Sequence, residues 1–262
     1  MILCNFMVVN LKLKVMKKLF LSLAVLAFGG FLFSSCQDDE IVSEAPVTRD
    51  YETDCKVLSK FVDVNKASGE YYINEKKRVT MMSYLTDQDW LELQKVNPVN
   101  YKRYEKELTE LNRELANYAN NPEISKIVYS TYGNEPYIKE LNNDCSIQVE
   151  KAESNFLSSR AIYQTLTFMQ GGSPAYASFK AGSKINSGVR INCNGPYLCE
   201  LKCNTKGAQC INNHSTGIVL SGTNYENTTY TWESGSASTL WDFTGKGRTL
   251  PFGAYAQVEF TD

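Results

Sequence analysis

The last third of this 262-residue chain is punctuated at short, regular intervals. Seven segments of strand character, AYASFK (175–180), GVRINC (188–193), YLCELKC (197–203), GIVLS (217–221), TTYTWE (228–233), TLWDF (239–243) and AYAQVEF (254–260), alternate with SG, NG, KG, GT and GKG turns. Such turns supply the backbone freedom that tight strand reversals demand. In the last segment Ala256, Val258 and Phe260 fall on one side, and Tyr255, Gln257 and Glu259 on the other. This period-two pattern suits a sheet with one buried face. Seven such segments within 92 residues predict a small all-β sandwich or barrel over 171–262.

The preceding stretch has a different composition. Residues 37–170 hold 16 Lys plus Arg and 23 Asp plus Glu, whereas 171–262 hold 7 and 6; 12 of the 16 glycines fall in the later segment. The shift predicts two units, a charged α+β region over 51–170 and the β unit, meeting near Gly171-Gly172-Ser173-Pro174. Within the first, KFVDVNKASGEYYI (60–73) reads as a hairpin turning at Gly69. Thr86 with Asp89 three residues on predicts a capped helix start, and Asn97-Pro98 opens a second helix. In that helix Tyr101, Tyr104, Leu108, Leu111, Leu115 and Tyr118 recur at helical spacing, with Lys106 and Glu110 pairing on the outer side. Ile127-Val128-Tyr129 reads as a strand, and Gln148 to Gln170 as a less regular helix.

The N-terminal segment carries an address. Met16-Lys17-Lys18 is basic, Leu19 to Phe33 is a 15-residue uncharged run, and Ser34-Ser35-Cys36 follows. The run is too short to span a bilayer, which takes ~20 apolar residues, and matches a cleaved secretory signal. The stretch LFSSCQDDE (32–40) resembles a bacterial lipoprotein signal, in which the first residue after cleavage is a cysteine that carries lipid. The leucine that this family prefers three places before the cysteine is Phe33 here, with Leu32 one position earlier. QDDE after Cys36 resembles the acidic export signal of Bacteroidota surface lipoproteins. The resemblance implies a signal over 1–36, lipidation of Cys36, an outer-membrane lipid as its partner, and display at the cell surface. Several acyl chains on one residue, each buried methylene contributing ~0.8 kcal/mol, hold a protein durably without a spanning helix. Residues 37–50 then read as a flexible acidic tether.

Cleaved at Cys36, the chain carries 23 Lys plus Arg against 29 Asp plus Glu, a net charge of −6. A basic footprint for nucleic acid is absent, and no nucleic-acid partner is expected. Beyond Cys4 and Cys36, the six cysteines Cys55, Cys145, Cys193, Cys199, Cys203 and Cys210 suit three disulfides in an exported protein. Cys55 is expected to pair with Cys145, and the other four among themselves. Cys199, Cys203, Cys210 and His214 also offer the ligand types of a structural zinc, although their spacing fits no familiar zinc frame. No metal or cofactor is predicted.

His214 is the chain's only histidine, and no nucleophile elbow, metalloprotease helix or phosphate loop accompanies it. Glu226, Glu233 and Asp242 are candidates for the two carboxyl groups of a glycoside hydrolase. The same strands present Tyr230, Trp232, Trp241 and Tyr255, whose flat rings complement sugar faces; the competing reading places them in the sandwich core. The expectation is therefore a surface-anchored α+β lipoprotein with a non-catalytic binding role. Glycan is the first ligand class, and a surface protein the other partner considered. A membrane-active or antagonistic surface protein, a glycoside hydrolase, and an envelope component that docks through the Tyr101–Tyr118 helix are the alternatives.

Overall fold

The computed structural model describes residues 49–77, 85–142, 147–151, 162–169, 173–203, 216–233, 240–251 and 253–261. The signal segment, Cys36, the tether up to residue 48, Cys145, Cys210 and His214 lie outside the described residues.

Helix α1 (Tyr51–Lys60) starts where Asp50 accepts a hydrogen bond from the Thr53 amide, so the tether expected to reach residue 50 ends earlier. A hairpin of β1 (Val62–Asn65) and β2 (Glu70–Ile73) follows, and Gly69 turns it with a φ of 75° that disfavours any side chain. Helix α2 (Asp87–Gln94) has the capping box read at Thr86 and Asp89, and α3 (Pro98–Ala119) has Asn97 at its N-cap and Pro98 in its first turn. Tyr104, Leu108, Leu111, Leu115 and Tyr118 of α3 are buried. Among the described residues the helix carries the exposed ion pairs Arg103–Glu107 (3.2 Å) and Arg113–Glu114 (3.9 Å), and not the expected Lys106–Glu110.

The strands then build two sheets. One contains β3 (Ile124–Ser130), β4 (Tyr137–Glu140), β7 (Ala175–Lys180), β9 (Tyr197–Cys203), β10 (Thr216–Gly222) and β12 (Leu240–Thr249), in the order β4-β3-β10-β9-β12-β7. The other contains β5 (Ile147–Lys151), β6 (Ile162–Met169), β8 (Lys184–Asn192), β11 (Glu226–Glu233) and β13 (Tyr255–Thr261), in the order β5-β11-β8-β13-β6. Only β3 and β10 run parallel among these pairs. Both sheets have open ends, so the fold is α+β with a sandwich and not a closed barrel.

All seven strand segments read from the final third form strands. Two other expectations are corrected. The Gln148–Gln170 region contains β5 and β6, not a helix. In β6 the buried Leu166 and Phe168 alternate with exposed Thr165, Thr167 and Met169, and the strand pairs in register with β13. The boundary near residue 171 also disappears: β3 to β6 precede it yet belong to the two sheets, and Thr48–Asp262 is one compact unit. The Gly-rich connection carries the chain from the edge of one sheet to the edge of the other, β6 to β7.

Two cores result. Between the sheets, Trp232 meets Phe243 edge-on at 5.0 Å, and Trp241 stacks on the same ring at 5.9 Å. Phe260 closes on Phe243 from the facing sheet at 4.3 Å. Gly245 lets Phe168 approach so closely that an added Cβ would lie 2.5 Å from its ring. Outside the six-stranded sheet, α1, α3 and the hairpin cover the β3–β10 end, where Leu58, Leu108, Leu111 and Leu115 pack on Ile127, Leu198 and Val219. Fully burying each such side chain contributes ~1.5–3 kcal/mol. Asn112 of α3 clamps β2, accepting from the Tyr71 amide (2.8 Å) and donating to its carbonyl (2.9 Å). Asp54 joins the helices: Arg49 lies 2.8 Å from its carboxylate, and it accepts from the Asn97 amide and the Asn100 side chain.

Candidate functional site

The side chains singled out in the sequence are distributed over three layers. Trp232, Trp241 and Tyr230 are fully buried between the sheets, where the indole N–H groups donate to Ser187 Oγ (2.5 Å) and to the Gly182 carbonyl (3.2 Å). This corrects their assignment as ligand-binding aromatics: rings that fill the core leave no face for a sugar. Alternation along β11 turns Tyr230 and Trp232 inward with Glu226, and alternation along β12 does the same for Trp241.

The candidate carboxylates are separated as well. Glu226 lies inside the sandwich, with Thr228 Oγ1 donating to it at 2.6 Å and the Tyr197 and Tyr230 hydroxyls also donating. Burial pushes its carboxyl above the usual range, against the opposing pull of these hydroxyls. Glu233 is on the outer side of β11, paired with Lys184 at 2.6 Å, and Asp242 is on the outer side of β12 in the facing sheet. A sandwich core is ~10 Å thick, so two of them sit on opposite surfaces and the third between. A glycosidase needs two carboxyl groups about 5–10 Å apart across one accessible bond. These three do not meet that condition.

The cysteine expectations also change. Cys55, Cys193 and Cys199 are free, buried thiols. Burial pushes Cys55 up to about 11 and Cys193 up to about 12, so both stay protonated at neutral pH and behave as small apolar groups. The disulfides expected at these positions are not formed, and the proposed partners Cys145 and Cys210 lie outside the described residues. Cys199 and Cys203 face the same core from β9, four residues apart. Strand rise puts them roughly 13 Å apart, too far for one disulfide or for one zinc with bonds of about 2.3 Å.

Tyr255 is the one aromatic candidate that reaches an outer surface. It is half-buried on β13, on the outer side of the five-stranded sheet, with exposed Asn192 and Met169 as its cross-strand partners. In the next row Gln257 lies between Thr167 and Arg190, and Arg190 faces Asn227 of β11. Among the described residues the side chains of Arg190, Asn192, Gln257 and Glu259 make no hydrogen bond or ion pair with one another or with neighbours. Flat polar side chains on an open sheet face beside an aromatic ring can hydrogen-bond a ligand's hydroxyls and cover its apolar side. The sequence reading grouped Gln257 and Glu259 with Tyr255 on the outer phase but took only the aromatic ring as a binding candidate, and it missed Arg190. The signal was the opposite phase of GVRINC and AYAQVEF.

No protein-family model matches this chain, and no curated protein matches it.

Proposed function

We propose that the chain is a lipid-anchored protein of the outer membrane, displayed at the cell surface, whose sandwich binds glycan without reacting with it. The anchor rests on the LFSSCQDDE segment around Cys36. The binding role rests on the open row of unengaged hydrogen-bonding side chains beside Tyr255. Sugars present hydroxyls at their rims and C–H groups on their faces, which is the complement of that row. A binding module on a lipid tether needs a stable scaffold more than a reactive centre, and the two packed cores supply one.

The anchor and the site can be tested separately. Labelled palmitate should enter the wild-type chain and not Cys36→Ala; label retained by the variant would end the lipoprotein reading. For the site, the full chain in detergent is run through native gels containing neutral polysaccharides. Tyr255→Ala and Arg190→Ala should each weaken retention about tenfold, equivalent to ~1.4 kcal/mol, with unfolding midpoints unchanged. Retention of a polymer that neither variant alters would remove this face from consideration. Failure of the folded wild-type chain to bind any polysaccharide would remove glycan as the ligand class. The segment 171–262 alone is unsuitable for this test, because it lacks β3 to β6.

A further inference from the structure

On the opposite surface, the helices cover only the β3–β10 end of the six-stranded sheet, and the outward side chains of β9, β12 and β7 form a second polar surface. Glu200 and Lys202 of β9 face Lys246 and Thr244 of β12, with Arg248 one row further along. Together these five line a cleft of about 220 Å³. Thr244 pairs on its other side with Tyr176 of β7, which is 65 % exposed.

Glu200 organises the cleft. Its side chain is 9 % exposed and accepts from Tyr118 at the end of α3 (2.8 Å), lies 2.8 Å from Lys202 Nζ, and lies 3.5 Å from Arg248. Burial alone would raise its carboxyl, but the Lys202 and Tyr118 hydrogen bonds and the neighbouring cations outweigh it, so Glu200 is held ionised. Lys202 is shared with Glu123 at 2.7 Å. Three cations thus stand against two carboxylates. Among the described residues Lys246 has no ion pair, and Arg248 has only the longer one to Glu200. One positive charge is left uncompensated in a chain whose predicted mature form is strongly acidic. A buried carboxylate that preorganises basic side chains around an open cleft suits an incoming anion, because charge-assisted hydrogen bonds are the strong ones. Tyr176 is the diagonal cross-strand neighbour of Lys246, at a position whose backbone spacing is roughly 7–8 Å, so its exposed ring borders the cleft.

We infer that this cleft is a second carbohydrate site, selective for an acidic sugar whose carboxylate or sulfate sits against Lys246 and Arg248 and whose ring lies on Tyr176. It takes its ligand class from the glycan-binding reading, but occupies the opposite face of the sandwich from Tyr255.

The test runs the full chain in native gels containing polygalacturonate or chondroitin sulfate, with dextran as the neutral polymer. Lys246→Ala and Arg248→Ala should each weaken retention by the acidic polymers about tenfold. Tyr176→Ala should weaken it less, and rising salt should weaken it throughout. Lys106→Ala changes the charge equally on the solvent side of α3 and should have no effect. Several results would overturn the inference: no retention by acidic polymers, retention indifferent to both Lys246 and Arg248, or equal loss from Lys106→Ala, which would indicate general charge attraction. Retention by dextran alone would leave the Tyr255 surface standing and remove this one. No retention by any polymer would remove both.

Discussion

Trp232→Ala is expected to lower folding stability by about 3–5 kcal/mol, the range for removing a buried large aromatic. The indole is 1 % exposed, meets Phe243 edge-on and donates to Ser187 Oγ from within the sandwich. Truncation leaves a cavity lined by aromatic rings and a buried hydroxyl without its donor, and the rigid pairing of β11 with β8 limits how far the site can collapse. Chemical denaturation of the purified variant measures the loss. If Trp232 were instead a surface ligand-binding residue, the substitution would leave the denaturation midpoint within about 0.5 kcal/mol of wild type and reduce glycan retention. The experiment therefore separates a core role from a binding role.

The second large effect concerns Glu226. Glu226→Ala removes the acceptor of three hydroxyl donors, Tyr197, Thr228 and Tyr230, inside the sandwich. Buried groups left without partners cost about 1–3 kcal/mol each, so a loss of roughly 3 kcal/mol or more is expected. Glu226→Gln keeps the shape and has the more informative pH dependence. Because burial raises the folded carboxyl above its ordinary value of 4.5, the native state holds a proton that the unfolded chain has already released. Stability from this group is thus fully present below that ordinary value, and is lost as pH rises through the raised folded value. The amide does not titrate. The stability of Glu226→Gln relative to wild type should therefore be higher at pH 8 than at pH 4. An equal difference at both values would mean that Glu226 titrates normally in the folded protein.

The pattern of success in reading the chain follows from the range of the interactions. The α3 stripe and the Thr86 cap are local devices, set by neighbours three or four residues away, and both form as expected. The seven C-terminal strands are legible because Gly-rich turns bracket each one. β6 was missed because its strand character depends on pairing with β13, about ninety residues later, and no Gly-rich turn precedes it, only the one that follows at Gly171-Gly172. The apparent boundary at residue 171 was a real change in composition, from a region that also builds helices to one whose described elements are all strands. It did not mark where the cores divide, because β3 to β6 supply edges and a central partner to sheets completed by the later strands.

The candidate site was less legible for a related reason. Period two in AYAQVEF separates Tyr255, Gln257 and Glu259 from Ala256, Val258 and Phe260, and the structure keeps that division. The same rule applied to TTYTWE groups Tyr230 with Trp232, but does not say which side meets water. By itself the sequence determined the helix stripe, the seven C-terminal strands and their alternation, because each is written in residues close together along the chain. Only the tertiary structure decided that Trp232, Trp241, Tyr230 and Glu226 are enclosed, that Glu233 and Asp242 face opposite surfaces, and that Lys246 and Arg248 meet Glu200. Those outcomes depend on which sheet covers which face, and that depends on strand pairings between residues far apart in the chain.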